Sequence, residues 1–444
     1  MTLIAVSMFR IIRLLFGAIL IGLITGLSAC GTNPIAATPI APTSTLAAPP
    51  SASPTPTATP AANMPITLTV WLPAAFDENP GRDMLSRQLT VFAASADGAP
   101  STVLIKNDHG PGGLLDLLRS ASPVAPSILP DVIALDTTDL EAAARAGLIQ
   151  PIDPLLPTDL RDDLFPFARD LGTLNGKLYG LIVSADLEHL AINTKIITTP
   201  PAQWAEILTA TRPLVYVLPL HDSASGVSDA VLAHYFALGG KVIDADGKPV
   251  LDQAALGNLL DLYQQAQHKS ILPADVLDLN SPTEVWDTFR SSGAAMGNVQ
   301  ASYYLSVAQS LPSIQFALLP ALDQPVSPIA RGWALALVTR DPHRQAIAMR
   351  LMQHLLSPAN NGAWTQAAST LPGRVSSLTQ WDQGDPYTGF IRDQLAHAQA
   401  APSTAIMNVV GPALRKAIDD VLLGRATPEE AAQLAVTSIG TNKK

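Results

Sequence analysis

A single cysteine, Cys30, stands in this chain of 444 residues, so no intrachain disulfide can form and the fold must rest on buried apolar surface alone. Apolar residues make up 48% of the sequence and charged residues only 14%, which supplies that surface. The length exceeds what one hydrophobic core usually serves, so two lobes are expected. The formal charge of −10 argues against a nucleic-acid partner, which would need a basic footprint.

The surroundings of Cys30 explain its solitude. Arg10 and Arg13 precede an uncharged apolar stretch from Leu14 to Ile24, too short for a comfortable membrane span, and small residues then lead to the cysteine. Leu27-Ser28-Ala29-Cys30 resembles the bacterial lipobox, in which the cysteine receives lipid and becomes the new N-terminus. Residues 1–29 are therefore read as a lipoprotein signal peptide and Cys30 as the lipidation site; an uncleaved anchor helix is the alternative. Residues 30–65 are rich in Pro, Ala, Thr and Ser and carry no charge. Such a segment cannot bury enough apolar surface to offset its ordering entropy. At ~3.1 Å per residue in extended polyproline geometry it would make a flexible tether of up to ~100 Å. The expected location is the cell envelope, outside the cytoplasm and lipid-anchored to the membrane.

From Ile66 onward strands and helices alternate. Ile66, Leu68, Val70 and Leu72 alternate with Thr67, Thr69 and Trp71 in a period-two strand, and Asp83 to Ala94 reads as a helix. Thr102 to Lys106 and Asp131 to Leu135 are further strands, and Leu140 to Ala146 is a helix with Asp139 as N-cap and Gly147 as its stop. In the second half, Leu214 to Leu218 reads as a strand, and Leu256, Leu259, Leu260 and Tyr263 mark one helix face. Ser281-Pro282-Thr283-Glu284 is a capping box, and Asp341-Pro342 and Thr427-Pro428 open later helices. The alternation predicts parallel sheet with helices on its faces.

The chain holds no glycine-rich phosphate loop, no Gly-x-Ser-x-Gly elbow and no His-Glu-x-x-His. Its eight histidines lack ligand-like pairing, and Asp244-Ala245-Asp246-Gly247 reads as a plain turn rather than a calcium loop. No catalytic residue, metal or cofactor is expected. In an open, doubly wound sheet ligands lie beyond the carboxyl ends of the parallel strands. The loops leaving those ends present Phe76, Asp77, Asn107, Asp108, His109 and Asp136.

The order of segments is that of a known family. Ile66-Thr67-Leu68-Thr69-Val70-Trp71 and Pro130-Asp131-Val132-Ile133-Ala134-Leu135 come first, then Leu174-Asn175-Gly176-Lys177-Leu178-Tyr179-Gly180. Pro200-Pro201-Ala202-Gln203-Trp204-Ala205-Glu206, Gly293-Ala294-Ala295-Met296, Arg331-Gly332-Trp333 and Gly424-Arg425-Ala426-Thr427-Pro428-Glu429-Glu430 follow. From Ile66 to about Ile439 the chain resembles the extracellular solute-binding proteins of ABC importers, carbohydrate-binding type. The resemblance implies an α/β, two-lobed periplasmic-binding-protein-like (type II) fold with a hinge and an interlobe cleft. By analogy lobe 1 is 66–183 plus 316–357 and lobe 2 is 184–315 plus 358–440. Tyr179 to Asn193 would be two short strands flanking a hinge at Ser184-Ala185-Asp186. Family contacts carry over by position to Ser184, Asp186 and Gln300. Tyr303 and Tyr304 stand where the family usually has a sugar-stacking tryptophan, Arg331 and Trp333 at the cleft border. A late loop brings Trp364, Trp381 and Tyr387. A sugar site needs flat rings against C–H faces and planar polar groups for hydroxyls, which these residue types supply.

The implied function is a membrane-tethered receptor of an ABC import system that captures a small, carbohydrate-type solute and hands it to the permease subunits. Its ligand residues would be Phe76, Asp77, Asp108, Asp136, Asp186, Gln300, Tyr303, Tyr304, Arg331, Trp333 and Trp381. The alternatives are a surface lipoprotein that senses solute for a signalling partner, and an extracellular glycoside hydrolase using a carboxylate pair.

Overall fold

The computed structural model describes residues 66–441 except 274, 308, 309 and 323. The expected signal peptide, the lipidation site Cys30 and the tether lie outside the described residues. Among the described residues no helix is long and apolar enough to cross a membrane.

Nine strands form one mixed sheet. They are β1 (Leu68–Pro73), β2 (Ser101–Lys106), β3 (Val132–Asp136), β4 (Gly180–Asn193), β5 (Tyr216–Val217), β6 (Met296–Gln300), β7 (Ile314–Ala317), β8 (Ile329–Leu337) and β9 (Gln399–Ala400). The order is β2-β1-β3-β8-β4-β6-β5, with β7 also paired to β4 and β9 to β8. Strands β1, β2 and β3 are parallel, as the alternation predicts, whereas β8 runs antiparallel to both β3 and β4.

Strands β1 and β3 are buried on both faces, because helices cover the sheet on either side, whereas β2 lies at the edge with Leu104 and Ile105 exposed. Leu68, Val70 and Leu72 pack with Phe92 and with Ile347, Leu351 and Leu355 of the helix Pro342–Leu355. Trp71 faces the other way, into a cluster with Leu114, Leu118, Ile133 and Leu135, and is 4% exposed. The side of β1 that carries Trp71 is therefore a second core face. The helix after β3 begins one turn earlier than expected, at Thr137. Asp136, not Asp139, caps it by accepting from the Thr138 N–H at 2.8 Å. Gly147, at φ +66°, ends that segment in the left-handed conformation a helix stop requires. Ser281 caps Pro282–Ser291 and Asp341 caps Pro342–Leu355, both as expected from the sequence.

A large separate core holds the second half. Leu256, Leu259, Leu260 and Tyr263 of Gln253–His268 pack with Leu414 and Ile418 of Thr404–Leu422 and with Ala432 and Ala435 of Pro428–Thr441.

Strand β4 joins the halves. Gly180 to Leu187 pairs with β8, and Glu188 to Ile192 pairs with β6, so the strand exchanges partners between Leu187 and Glu188. The expected two short strands are thus one continuous strand of 14 residues. Hydrogen bonds on both sides, including the reciprocal pair between Ala185 and Leu371, keep the backbone extended through Ser184-Ala185-Asp186. Packing runs between the segments assigned to the two expected lobes at two places. Phe316 lies in β7 and pairs opposite Ala191 in the second half of β4. The helix Pro358–Ala367 packs on Gly81–Ala94, where Gln88 donates to the Asn360 carbonyl at 2.8 Å.

Candidate functional site

A cleft of about 320 Å³ opens beside the point where β4 changes partners. Its walls come from both halves of the sheet. His109 follows β2, Asp136 ends β3, Glu188 lies in β4, Asn298 and Gln300 in β6, and Arg331 in β8. His221, Asp222, Ser225 and Asp229 line the second-half wall, as do Thr404, Met407 and Asn408 at the start of Thr404–Leu422. The carboxyl ends of β2 and β3 thus open on the cleft, where a doubly wound sheet places its ligand.

The polar groups are held by one another. Arg331 grips Asp229 with two parallel bonds, Nε to Oδ2 at 2.7 Å and Nη2 to Oδ1 at 2.8 Å. Asp229 raises the guanidinium's proton affinity further, so Arg331 stays charged. Glu188 accepts from Asn298 Nδ2 at 3.3 Å, and Asn298 in turn accepts from the Tyr216 hydroxyl. Burial, with help from the negative Asp229, pushes the Glu188 carboxyl up to about 8. Asp222 binds its own turn: Oδ1 accepts from the Ser225 N–H at 2.6 Å and the Ser225 hydroxyl at 2.8 Å. His109 Nδ1 lies 3.4 Å from Asp139 Oδ2, and that contact raises the imidazole's pKa, as do Asp136 and Asp108. The Thr404 hydroxyl oxygen is buried with no hydrogen-bond partner. The site offers carboxylate and amide acceptors, amide and guanidinium donors, and a dry hydroxyl.

Residues 119–387 match the family described as bacterial extracellular solute-binding protein. The chain belongs to that family. Its fold is also that of solved two-lobed solute-binding proteins. A cyclic α-maltosyl-1,6-maltose binding protein from Arthrobacter globiformis is 18% identical, with a TM-score of 0.71 over 85% of this chain and 99% of that one. A cyclo/maltodextrin-binding protein solved with maltotetraose is 19% identical, with a TM-score of 0.68 over 86% and 98% of the two chains. An ABC transporter solute-binding protein from Thermotoga lettingae, bound with α-D-tagatose, is 18% identical, with a TM-score of 0.63 over 84% and 99%. At these identities the likeness shows the fold.

In this solute-binding protein the cleft gathers Asp136, Gln300 and Arg331 from the residues singled out in the sequence. Trp333 stands one layer behind, half-buried, stacked on His109 at 5.7 Å and edge-on to Phe76 at 5.9 Å. Phe76 is buried against Trp364 at 4.8 Å, and Asp77 beside it is exposed. Asp108 is half-buried next to His109, with Oδ1 unpartnered. Asp186 turns to the start of Ala301–Val307, accepting from Ser302 Oγ at 2.5 Å; burial still pushes it up to about 6. Tyr303 stacks on Trp286 at 6.4 Å and Tyr304 on Tyr387 at 4.8 Å, and neither lines the cleft. Trp381 is buried and donates to the Gly362 carbonyl at 3.1 Å.

Sequence reasoning missed Glu188, Asp222, Asp229, His221 and Asn298. One signal was available: Asp186 and Glu188 are the two acids in the mostly apolar run from Gly180 to Ile192, and a buried strand keeps a carboxylate only where something uses it. Asp222 and Asp229 sit in a turn and at a helix start, where an acid is unremarkable.

Proposed function

We propose that this protein is the lipid-anchored, extracytoplasmic receptor of an ABC import system and that it captures a carbohydrate in the cleft beside Glu188 and Arg331. Membership of the solute-binding family supports capture, and the saccharides named with the structural neighbours support the ligand class. The observation that carries the reading is the cleft itself, polar and lined from both sides of the β4 partner exchange. Solute touching both walls stabilises the closed arrangement of two lobes, a population shift that needs no covalent chemistry. The hinge runs through Asp186 to Glu188 of β4 and the facing residues of β8. Cys30 carries the lipid, and residues 31–65 let the receptor reach the permease.

Titration calorimetry of the full chain in detergent against maltotriose, maltotetraose, tagatose and a charged sugar, glucosamine, paired with small-angle scattering, tests this. One-site binding with a smaller radius of gyration is expected. Absence of binding to every saccharide, neutral or charged, overturns the carbohydrate reading; binding without compaction overturns the two-lobe closure.

A further inference from the structure

The charge inventory of the cleft is unbalanced. Four carboxylates line it, Asp136, Glu188, Asp222 and Asp229, against a single arginine or lysine, Arg331. That guanidinium is already committed to Asp229 through both of its parallel bonds. His221 Nε2 lies 2.8 Å from Asp419, and His109, at the mouth, is engaged by Asp139; neither acid lines the cleft. Asp136, Glu188 and Asp222 remain. Each accepts hydrogen bonds through one carboxylate oxygen only: Asp136 Oδ1 from Thr138, Glu188 Oε2 from Asn298, Asp222 Oδ1 from Ala224 and Ser225. The other oxygen of each is open.

The second observation is what the walls lack. Among the described residues no tryptophan, tyrosine or phenylalanine lines the cleft, and the rings on its walls besides proline are the imidazoles of His109 and His221. A neutral sugar chain gains much of its hold from stacking on flat aromatic faces, and the tyrosines expected there are packed elsewhere. Covering the Asp136 and Asp222 carboxylates with a neutral ligand also strips their water without supplying a counter-charge, which is costly. An ammonium supplies that charge and donates charge-assisted hydrogen bonds to the open oxygens. The unpartnered Thr404 hydroxyl and the Gln300 amide remain for ligand hydroxyls.

We infer that the cleft selects a carbohydrate bearing a protonated amine, an amino sugar, with Glu188, Asp222 and Asp136 as its specificity-determining carboxylates. This rests on the reading that the cleft holds a saccharide and narrows it to a cationic class. The groups around Glu188 agree. Asp229 from the helix Asp229–Ala237 and Asp186 from its own strand oppose its ionisation; Asn298 from β6 and Arg331 from β8 favour it, and with burial the carboxyl holds its proton up to about 8. A bound ammonium reverses that balance, so binding at pH 7 releases up to about one proton from Glu188.

The test compares matched ligands on the full chain in detergent: the β-1,4 trisaccharide of glucosamine, its fully N-acetylated counterpart, and maltotriose. The amine form is expected to bind at least about tenfold tighter than either neutral sugar. Its affinity should fall as NaCl rises from about 50 to about 500 mM. Calorimetry in phosphate and in Tris at pH 7 should show proton release with the amine form alone. Asp222→Asn and Glu188→Gln should each narrow the preference, and Glu188→Gln should abolish the proton release. Equal or tighter binding of a neutral sugar overturns the cationic class and leaves the saccharide receptor standing. If none of the three binds, both readings fall.

Discussion

Replacing Glu188 by Gln should change how the stability of the unliganded protein depends on pH. Burial and Asp229 raise this carboxyl from its ordinary 4.5 to about 8. Between those values the folded protein holds a proton that the unfolded chain has released, so Glu188's contribution to stability is complete below 4.5 and is lost as pH rises through 8. Each tenfold in proton affinity is about 1.4 kcal/mol, which puts a ceiling on the order of 5 kcal/mol on the whole effect. Between pH 6 and pH 8 alone the loss is about 2 kcal/mol. Two buried histidines act in the opposite sense. Burial lowers His189 to about 4 and His234 to about 3, so each favours the unfolded chain below its ordinary 6.5 and ceases to do so at pH 8. Raw wild-type curves therefore mix the two trends, whereas the difference between wild type and Glu188→Gln isolates the carboxyl. Urea unfolding followed by tryptophan fluorescence at pH 6, 7 and 8 gives that difference. The variant should gain about 2 kcal/mol relative to wild type across the range. Parallel stability curves would refute the reasoning, because the carboxyl would then be ionised in both states.

Three further perturbations follow from the geometry. Asp131 is 3% exposed and takes Arg344 Nε at 2.7 Å and the Thr69 N–H at 2.8 Å, so Arg344→Ala strands a buried carboxylate. The cost should be about 2–3 kcal/mol by urea unfolding, partly recovered on adding Asp131→Asn; a loss under about 0.5 kcal/mol would contradict it. At Gly332 an added Cβ would sit 2.2 Å from the Ser184 carbonyl oxygen, across the β4–β8 ladder. Gly332→Ala should therefore lower stability by about 1–3 kcal/mol, and an unchanged urea midpoint would show that the ladder can open there. Cys30→Ser should shift the protein from the membrane pellet to the soluble fraction, and unchanged sedimentation with membranes would refute the lipid anchor.

Local signals proved legible where the physics is local. Ser281 and Asp341 act as caps because the capping oxygen sits within three residues of the N–H groups it serves. The turn at Asp244 is likewise self-contained, with Oδ1 accepting from the N–H groups of Asp246 and Lys248 at 2.9 Å. Partner exchange along β4 was not legible, because it depends on β6 and β8, more than 100 residues downstream. The rings misled for a related reason. Composition says that Tyr304 and Trp381 are flat and apolar, but not whether a core or a ligand takes the face; Tyr387 stacks on Tyr304, and Trp381 is buried with its N–H on the Gly362 carbonyl. Two acids of the cleft hid because a carboxylate at a turn or helix start already has an ordinary explanation, as Asp222 and Asp229 do.

Strand β4 also behaves as a ruler that cannot be recut. Its side chains alternate, Asp186 and Glu188 on one surface, Leu187 and His189 on the other, and a deletion of one residue would swap the two surfaces for the remainder of the strand. Glu188 would then enter the apolar cluster that now encloses His189, Tyr304 and Phe390. Variation in the length of this protein should therefore accumulate in its turns and spare the fourteen positions from Gly180 to Asn193.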